Sequence, residues 1–286
     1  MEVETPVLCH TTVSDPNIQS FSTTFQHPGN NREEKLFLHT SPEYAMKRLL
    51  AAGSGPIYQI THVFRDAEAG RLHNPEFTML EWYQPGIDYH ELMNQLNELL
   101  LVFGFENGDR KTYAEVFDNV VGINPHTSDL QTLKDTACQN GLLSVTDDRS
   151  ELLDYIFSQM VSPELAQTRP LFIYEYPACQ SALARLTYTD PPVAERFELF
   201  IHGIEIANGY HELCDDIEQR LRFEKDIEHR KRSGKAVYPL DEKFLEALSA
   251  GLPACSGVSV GLDRLLMVMN NSTDISDVIA FPVNKI

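Results

Sequence analysis

The sequence predicts an α+β fold: a mainly antiparallel β-sheet flanked by helices, with a helical insertion. Three observations carry that prediction. Strand-like and helical segments do not alternate, which disfavours a parallel doubly wound sheet. Two strand-like segments, 56–64 and 77–83, are joined by a long charged stretch. From about 110 to 165 the texture turns helical, and strand-like sequence returns after it.

Ser41-Pro42, followed by Met46, Leu49, Leu50 and then Gly53, reads as an N-cap, a first-turn proline, an amphipathic helix and a glycine stop. Ile57, Ile60 and Val63 lie among polar neighbours in the first strand, and Phe77-Thr-Met-Leu-Glu-Trp-Tyr83 has the aromatic content of the second. Leu92, Leu96, Leu99 and Leu100 recur at helical spacing over 89–103, and Gly104 ends the run. The insertion holds three short helices: one capped by Thr112 with Glu115 three residues on, one over about 129–139, and one starting near Ser150. Strand-like sequence follows at 171–176 and 196–207, then helices over about 216–232 and 241–250. Last, Gly257-Val-Ser-Val-Gly261 is a glycine-flanked apolar strand running into a helix over 262–267.

The 286 residues are 42% hydrophobic and 23% charged, which suits one large domain or two modest ones. Against 23 Lys and Arg stand 42 Asp and Glu, a net charge of −19. That excess speaks against sequence-independent docking on nucleic acid, and it fits a basic protein or a cationic small molecule. No run approaches the roughly 18 apolar residues of a membrane helix, and the start lacks a basic n-region, so a chain neither secreted nor membrane-spanning is expected. Cys9, Cys138, Cys179, Cys214 and Cys255 are scattered, with no C-x-x-C pair, so a reducing cytoplasm is the expected location. No G-x-S-x-G, Walker A or H-E-x-x-H pattern occurs.

Four constellations can carry chemistry. The loop Phe64-Arg65-Asp66-Ala67-Glu68-Ala69-Gly70-Arg71-Leu72-His73-Asn74-Pro75-Glu76-Phe77 offers cations for a polyphosphate and an aromatic for a base, or else is a solvated hairpin tip. Glu198, Glu205 and Glu212 form the second. If His202-Gly203 makes a two-residue turn, Phe200 opposes Glu205 and Glu198 is its diagonal neighbour on the same face. Magnesium held by one or two carboxylates plus phosphates fits that face, as does a sheet face turned to water. Glu81 and Tyr83 point the same way along one strand, opposite Leu80 and Trp82, and with Glu212 can make an anionic pocket for an ammonium group. A cross-strand surface pair is the alternative. Arg264 lies in the first turn of a helix, where a cation is unfavourable unless an anionic ligand or an acid such as Asp263 accompanies it. His10, His27, His39, His62, His90 and His126 match no nucleophile signature.

In this order, the clusters resemble the motifs of the class II aminoacyl-tRNA synthetases, in particular the lysyl-tRNA synthetase subgroup. Phe64-Arg65 through His73-Asn74-Pro75-Glu76-Phe77-Thr78-Met79-Leu80-Glu81-Trp82-Tyr83 resembles motif 2, and the segment 257–267 motif 3. Thr40-Ser41-Pro42-Glu43-Tyr44 and Glu205-Ile206-Ala207-Asn208-Gly209-Tyr210-His211-Glu212-Leu213 extend the likeness over nearly the whole chain. More narrowly it is similar to the free-standing paralogues that attach a lysyl group, preferably (R)-β-lysine, to a lysine of elongation factor P. There is no room before Glu2 for an anticodon-binding barrel, the charge is wrong for tRNA, and Ser259 stands where the tRNA enzymes have glycine.

The resemblance implies a class II catalytic domain over 1–286, with the helical insertion inside it and no anticodon-binding domain. It implies an ATP-dependent, AMP-forming lysine–protein ligase with ATP and magnesium as cofactors. Tyr and acid positions carry over one by one. Arg65 would bind the α-phosphate and the substrate carboxylate; His73 and Arg71 the outer phosphates; Asn74 and Phe77 the adenine region; Arg264 the γ-phosphate. Glu198 and Glu205 would carry magnesium, with backbone near Ile206 and Gly261 lining the nucleotide. Ser41, Glu43 and Asn208 would surround the amino and carboxylate end of the substrate, Glu81, Tyr83 and Glu212 would receive its ε-ammonium, and Ser259 would shape the pocket. Two departures stand out. The Arg-x-Glu of motif 2 is Arg65-Asp66-Ala67, so Glu68 is the substitute carboxylate for ATP, beside Asp66. Met1-Glu2-Val3-Glu4-Thr5-Pro6 matches only the end of motif 1, so an N-terminally truncated chain is expected, with a homodimer once that end is complete. The competing expectations are tRNA charging of the lysyl-tRNA synthetase type and a non-catalytic paralogue.

Overall fold

A computed structural model describes residues 1–29, 32–144, 146–166 and 169–286. In chain order the elements are β1 (Leu8–Cys9), β2 (Ser22–Gln26), β3 (Glu33–Leu38), α1 (Glu43–Ala51), β4 (Ile57–Phe64), β5 (Glu76–Pro85) and α2 (Tyr89–Val102). Then come β6 (Asp109–Thr112), α3 (Tyr113–Val121), α4 (Leu130–Gln139), α5 (Arg149–Ile156) and α6 (Ser162–Glu164), the last two joined by a π-helical turn, Phe157–Val161. β7 (Leu171–Pro177), β8 (Val193–Ile201), β9 (Ile204–His211), α7 (Asp216–Arg232), α8 (Glu242–Gly251), β10 (Cys255–Gly261) and α9 (Leu262–Met269) complete the order. Among the described residues no helix is long and apolar enough to cross a membrane.

The chain forms two compact units: Met1–Gly86 with Leu213–Ile286, and Ile87–Glu212. In the first, β1-β3-β2 make a small antiparallel sheet, and β4-β5-β10 run antiparallel side by side. Helices α1, α7 and α8 pack together, and α9 packs on β5. In the second, the strand order is β9-β8-β7-β6, antiparallel except for the parallel pair β6–β7. Helices α3 to α6 occupy the stretch expected to be helical, and Tyr113, Phe117, Leu133, Leu152 and Ile156 form one buried core with Ile173, Tyr176 and Phe200 of the strands.

Local chemistry explains most boundaries. The capping box at Thr112 and Glu115 forms reciprocally, and Asp88 with Glu91 builds a second one at α2. Gly53 takes a left-handed φ of 87° after α1, as a helix stop requires. One expected cap is corrected: Pro42, not Ser41, is the N-cap of α1, and the Ser41 hydroxyl instead accepts the Glu43 amide at 3.0 Å. Strands β1, β2, β3 and β6 have no counterpart among the predicted elements. All five residues of β2 are exposed and β6 reads Asp-Arg-Lys-Thr, so neither shows the apolar alternation that marks a strand.

A buried cation ties the first unit together. Arg230 of α7 is fully buried, and its guanidinium donates to the carbonyls of Ser14 at 2.8 Å and Ala236 at 3.0 Å, and to those of Asp15 and Ile18. It also lies 4.5 Å from the centre of the Tyr238 ring. Planar geometry with five donors suits this task, which lysine could not perform. Arg230→Ala leaves four carbonyls without their donor and should lower unfolding stability by about 3 kcal/mol or more. Urea unfolding checks this; a loss within about 0.5 kcal/mol, as for an ordinary surface substitution, contradicts it.

Candidate active site

The acidic cluster of the first unit grows from period-two spacing on β5. Glu81 and Tyr83 are buried while Leu80 and Trp82 are only partly so, as the strand alternation requires. The Tyr83 hydroxyl donates to Glu81 Oε1 at 2.6 Å, and the Ser41 hydroxyl donates to Oε2 at 2.8 Å. Glu81 lies in register between Gln59 on β4 and Ser259 on β10, so the predicted pocket residue Ser259 sits directly across from it. Burial, and then the charge of Glu43, pushes the Glu81 carboxyl up to about 7, against the pull of Tyr83, Ser41 and Lys47. Glu43 itself is paired with Lys47, whose ammonium lies 2.6 Å from Oε1.

The loop between β4 and β5 gathers the predicted phosphate ligands. The Arg65 guanidinium lies 5.2 Å from the Phe77 ring centre, and Glu68 reaches within 3.9 Å of Arg65. Ala67 makes that return possible by taking a left-handed φ of 61°, uncommon for a residue with a side chain. The neighbouring Asp66 side chain accepts the Ala67 amide instead. Gly70 and His73 pair their backbones at the loop tip, and Arg71 donates to the carbonyl of Thr273 at 3.1 Å. Arg264 donates to the Leu72 carbonyl at 3.1 Å and lies 2.7 Å from His73 Nε2. Since guanidinium only donates, His73 accepts there through an unprotonated Nε2. Asp263 is engaged by the Thr78 amide at 2.6 Å. Gly261 is the N-cap residue of α9. Asn74 is buried and its amide bonds the Glu76 carbonyl and the Val283 amide, so the side chain shapes backbone.

In the second unit the hairpin closes as its sequence suggests. His202 and Gly203 have φ of 53° and 75°, the signs a type I′ turn needs, and Phe200 pairs with Glu205. The register then shifts, so that Leu199 pairs with Ala207 and Glu198 with Asn208. Ile206 is the extra residue of this bulge, and the bulge brings Asn208, an odd number of residues from Glu205, onto the face that Glu198 and Glu205 already share. Glu198 accepts the Tyr176 hydroxyl at 2.7 Å and pairs with Arg196, which also donates to Asn208 Oδ1 at 3.3 Å and to the Gln180 carbonyl at 2.7 Å. Burial raises the Glu198 carboxyl, Arg196 pulls it down, and Glu205 pushes it up again by like-charge repulsion. Two hard carboxylates this close fit magnesium. Among the described residues no cluster of three or more His, Cys, Asp or Glu surrounds a metal position, so phosphate and water would complete the shell. Glu212, at the end of β9, is buried and bridges in register to Ala184.

Sequence reasoning missed five partners. Lys47 is the (i, i+4) neighbour of Glu43, and Arg196 stands two residues before Glu198 on the same face; spacing alone could have found both. Buried Glu195 and His211 pair at 2.6 Å, and Arg185 grips the same carboxylate with two bonds. Nothing in the sequence links these three, because they meet across strands and a loop.

The raised Glu81 carboxyl has a sign that can be tested. An acid whose folded-state pKa is raised binds more protons folded than unfolded, so its contribution is present at low pH and lost from about 4.5 to about 7. Glu81→Gln should match the wild type in stability at the acid end of that window and exceed it at the alkaline end. A difference in urea midpoint that does not vary with pH contradicts a buried, titrating Glu81.

The family of tRNA synthetases class II (D, K and N) matches residues 1–285. An elongation factor P–(R)-β-lysine ligase of Proteus mirabilis is 48% identical over 289 residues, covering 100% of this chain and 89% of the relative. The ligases so named of Vibrio cholerae and Haemophilus influenzae are 46% and 45% identical, covering 99% and 100% of this chain and 88% and 89% of their own lengths. With matches of that extent, and motif 2 and motif 3 residues folded as a β4–β5 loop and a β10–α9 junction, this chain belongs to the class II tRNA synthetases of the D, K and N group.

Proposed function

We propose that the chain is an ATP-dependent ligase that activates (R)-β-lysine, or lysine, as an adenylate and transfers it to a lysine side chain of elongation factor P. The observation that carries the reading is the buried Glu81, held by two neutral hydroxyls and needing a cation to ionise comfortably. A diamino acid supplies that cation. The named ligases related at 45–48% identity supply the acceptor, elongation factor P.

The substrate carboxylate attacks the α-phosphorus of ATP and pyrophosphate leaves. Arg65 binds both carboxylate and α-phosphate and stabilises charge as it develops, as the catalytic residue. His73, Arg71 and Arg264 hold the outer phosphates, Phe77 and the backbone beside Asn74, Ile206 and Gly261 the nucleoside, and Glu68, with Asp66, replaces the missing motif 2 carboxylate. Ser41, Glu43 and Asn208 orient the amino and carboxylate end; Glu81, Tyr83 and Glu212 receive the ε-ammonium; Ser259 shapes the pocket. Magnesium at Glu198 and Glu205 would neutralise phosphate charge. In the second step the neutral acceptor amine attacks the adenylate carbonyl, AMP leaves, and the amine proton is lost to water. No protein nucleophile is required, because the adenylate is already reactive and positioning does the rest.

The family match also favours a second reading, tRNA charging, which the net charge of −19 opposes. The non-catalytic reading rests on Ala67, and the approach of Glu68 to Arg65 weakens it. A cytoplasmic homodimer belongs to the same ligase proposal. The test is the intact mass of elongation factor P after incubation with the protein, ATP, magnesium and α- or β-lysine, with lysine acceptance by tRNA measured in parallel. A gain of one lysyl unit on the factor without tRNA charging is expected. Charging of tRNA alone contradicts the ligase, and the absence of both products supports the non-catalytic paralogue.

A further inference from the structure

Lys47 is an unusual residue for the buried face of a helix. It points inward from α1 alongside Met46 and Leu50, and only 1% of it is exposed. Burying an ammonium costs several kcal/mol unless it is paired, and a leucine or methionine would satisfy packing here at no such cost. Its nitrogen lies 2.6 Å from Glu43 Oε1, 6.0 Å from the Tyr83 ring centre on β5 and 5.9 Å from the Phe244 ring centre on α8. The other titratable groups around this position are Glu81 on β5, Tyr44 on α1, and Asp226 on α7, whose charge acts on Tyr44. The cluster thus contains two acids of binding function and one internal cation, and that cation is committed to Glu43.

We propose that Lys47 is a positioning residue that determines specificity: by neutralising and aiming Glu43, it leaves the cluster able to accept one further ammonium, at Glu81. Lys47 holds Glu43 through Oε1 at 2.6 Å, which fixes the carboxylate's orientation. Without the internal cation, Glu43 repels Glu81 more strongly than it already does, and Glu81 holds its proton further above neutral pH. The substrate would then meet a neutral acid where it needs a carboxylate. This inference rests on the lysine-activating reading above.

The experiment is lysine-dependent exchange of pyrophosphate into ATP, measured across pH for wild type, Lys47→Met, Lys47→Arg and the double variant Glu43→Gln/Lys47→Met. Lys47→Met should raise KM for lysine about tenfold or more, leave KM for ATP within about twofold, and move the acid limb of kcat/KM upward by about one pH unit. Lys47→Arg should recover the wild-type limb. If Lys47→Met does not fold, the double variant, which has lost both charges, still decides, because its acid limb should lie near the wild-type position. A folded Lys47→Met with an unmoved acid limb and lysine KM overturns the inference, as does a double variant whose limb stays displaced. If the wild type exchanges with no lysine isomer, the ligase reading fails separately. Carbon-13 titration of the Glu carboxyls then decides on Lys47: a higher midpoint in Lys47→Met supports its electrostatic role, and equal midpoints refute it.

Discussion

A carboxylate removed from water needs donors or a cation, and the burial of Glu81 imposes that requirement on the elements around it. Its two oxygens are met by Tyr83 from the same strand and by Ser41 from the entrance to α1. Ser41 can do this because Pro42 takes over the cap, which leaves the serine hydroxyl to accept the Glu43 amide and donate to Glu81. The helix start, the strand alternation and the register with Ser259 are therefore parts of one arrangement. Neutral donors hold the carboxyl in place without supplying the charge that would ionise it at low cost, and this is why its proton is retained to about 7.

The second unit meets the same requirement differently. Glu198 is only partly buried, and a guanidinium stands beside it, fixed by Gln180, Asn208 and the face of the Tyr176 ring, 4.5 Å away. Here the protein carries its own cation, and the hairpin register that sets Glu205 opposite Phe200 puts the second carboxylate on the same face. In the proposed ligase, the first carboxylate would pair a cationic substrate group, while the second belongs to a network with internal charge that would suit phosphates and their metal. The difference lies in the donors and in the burial, which is complete at Glu81 and partial at Glu198.

Much of this is legible in the sequence. Glu81 and Tyr83 are two apart, the His202-Gly203 turn sets Glu205 opposite Phe200, and Thr112 with Glu115 writes its own helix start; each is local and follows from a fixed period. The charged loop and the glycine-flanked strand carry the family likeness, and that likeness gave the roles that spacing alone left open. The small sheet of β1, β2 and β3 is hard to read, because β1 has two residues, β2 is exposed throughout and β3 buries only Phe37. Lys47 reads as an ordinary surface charge until α1 is packed against β5 and α8, and the Glu195–His211–Arg185 group is joined by three separate segments. Partners that depend on tertiary register are the ones a linear reading loses.

The central claim is that the buried acid selects a substrate by its distal ammonium. The most direct measurement compares pyrophosphate exchange supported by lysine or (R)-β-lysine with that supported by norleucine, which has the same carbon chain as lysine and a hydrogen in place of the terminal amine. A site built to pair a substrate cation should reject norleucine by a factor of about 10⁴ in kcat/KM, since the analogue leaves the buried acid without its partner. Norleucine activation within about a hundredfold of lysine, the range a merely hydrophobic pocket allows, would contradict the account.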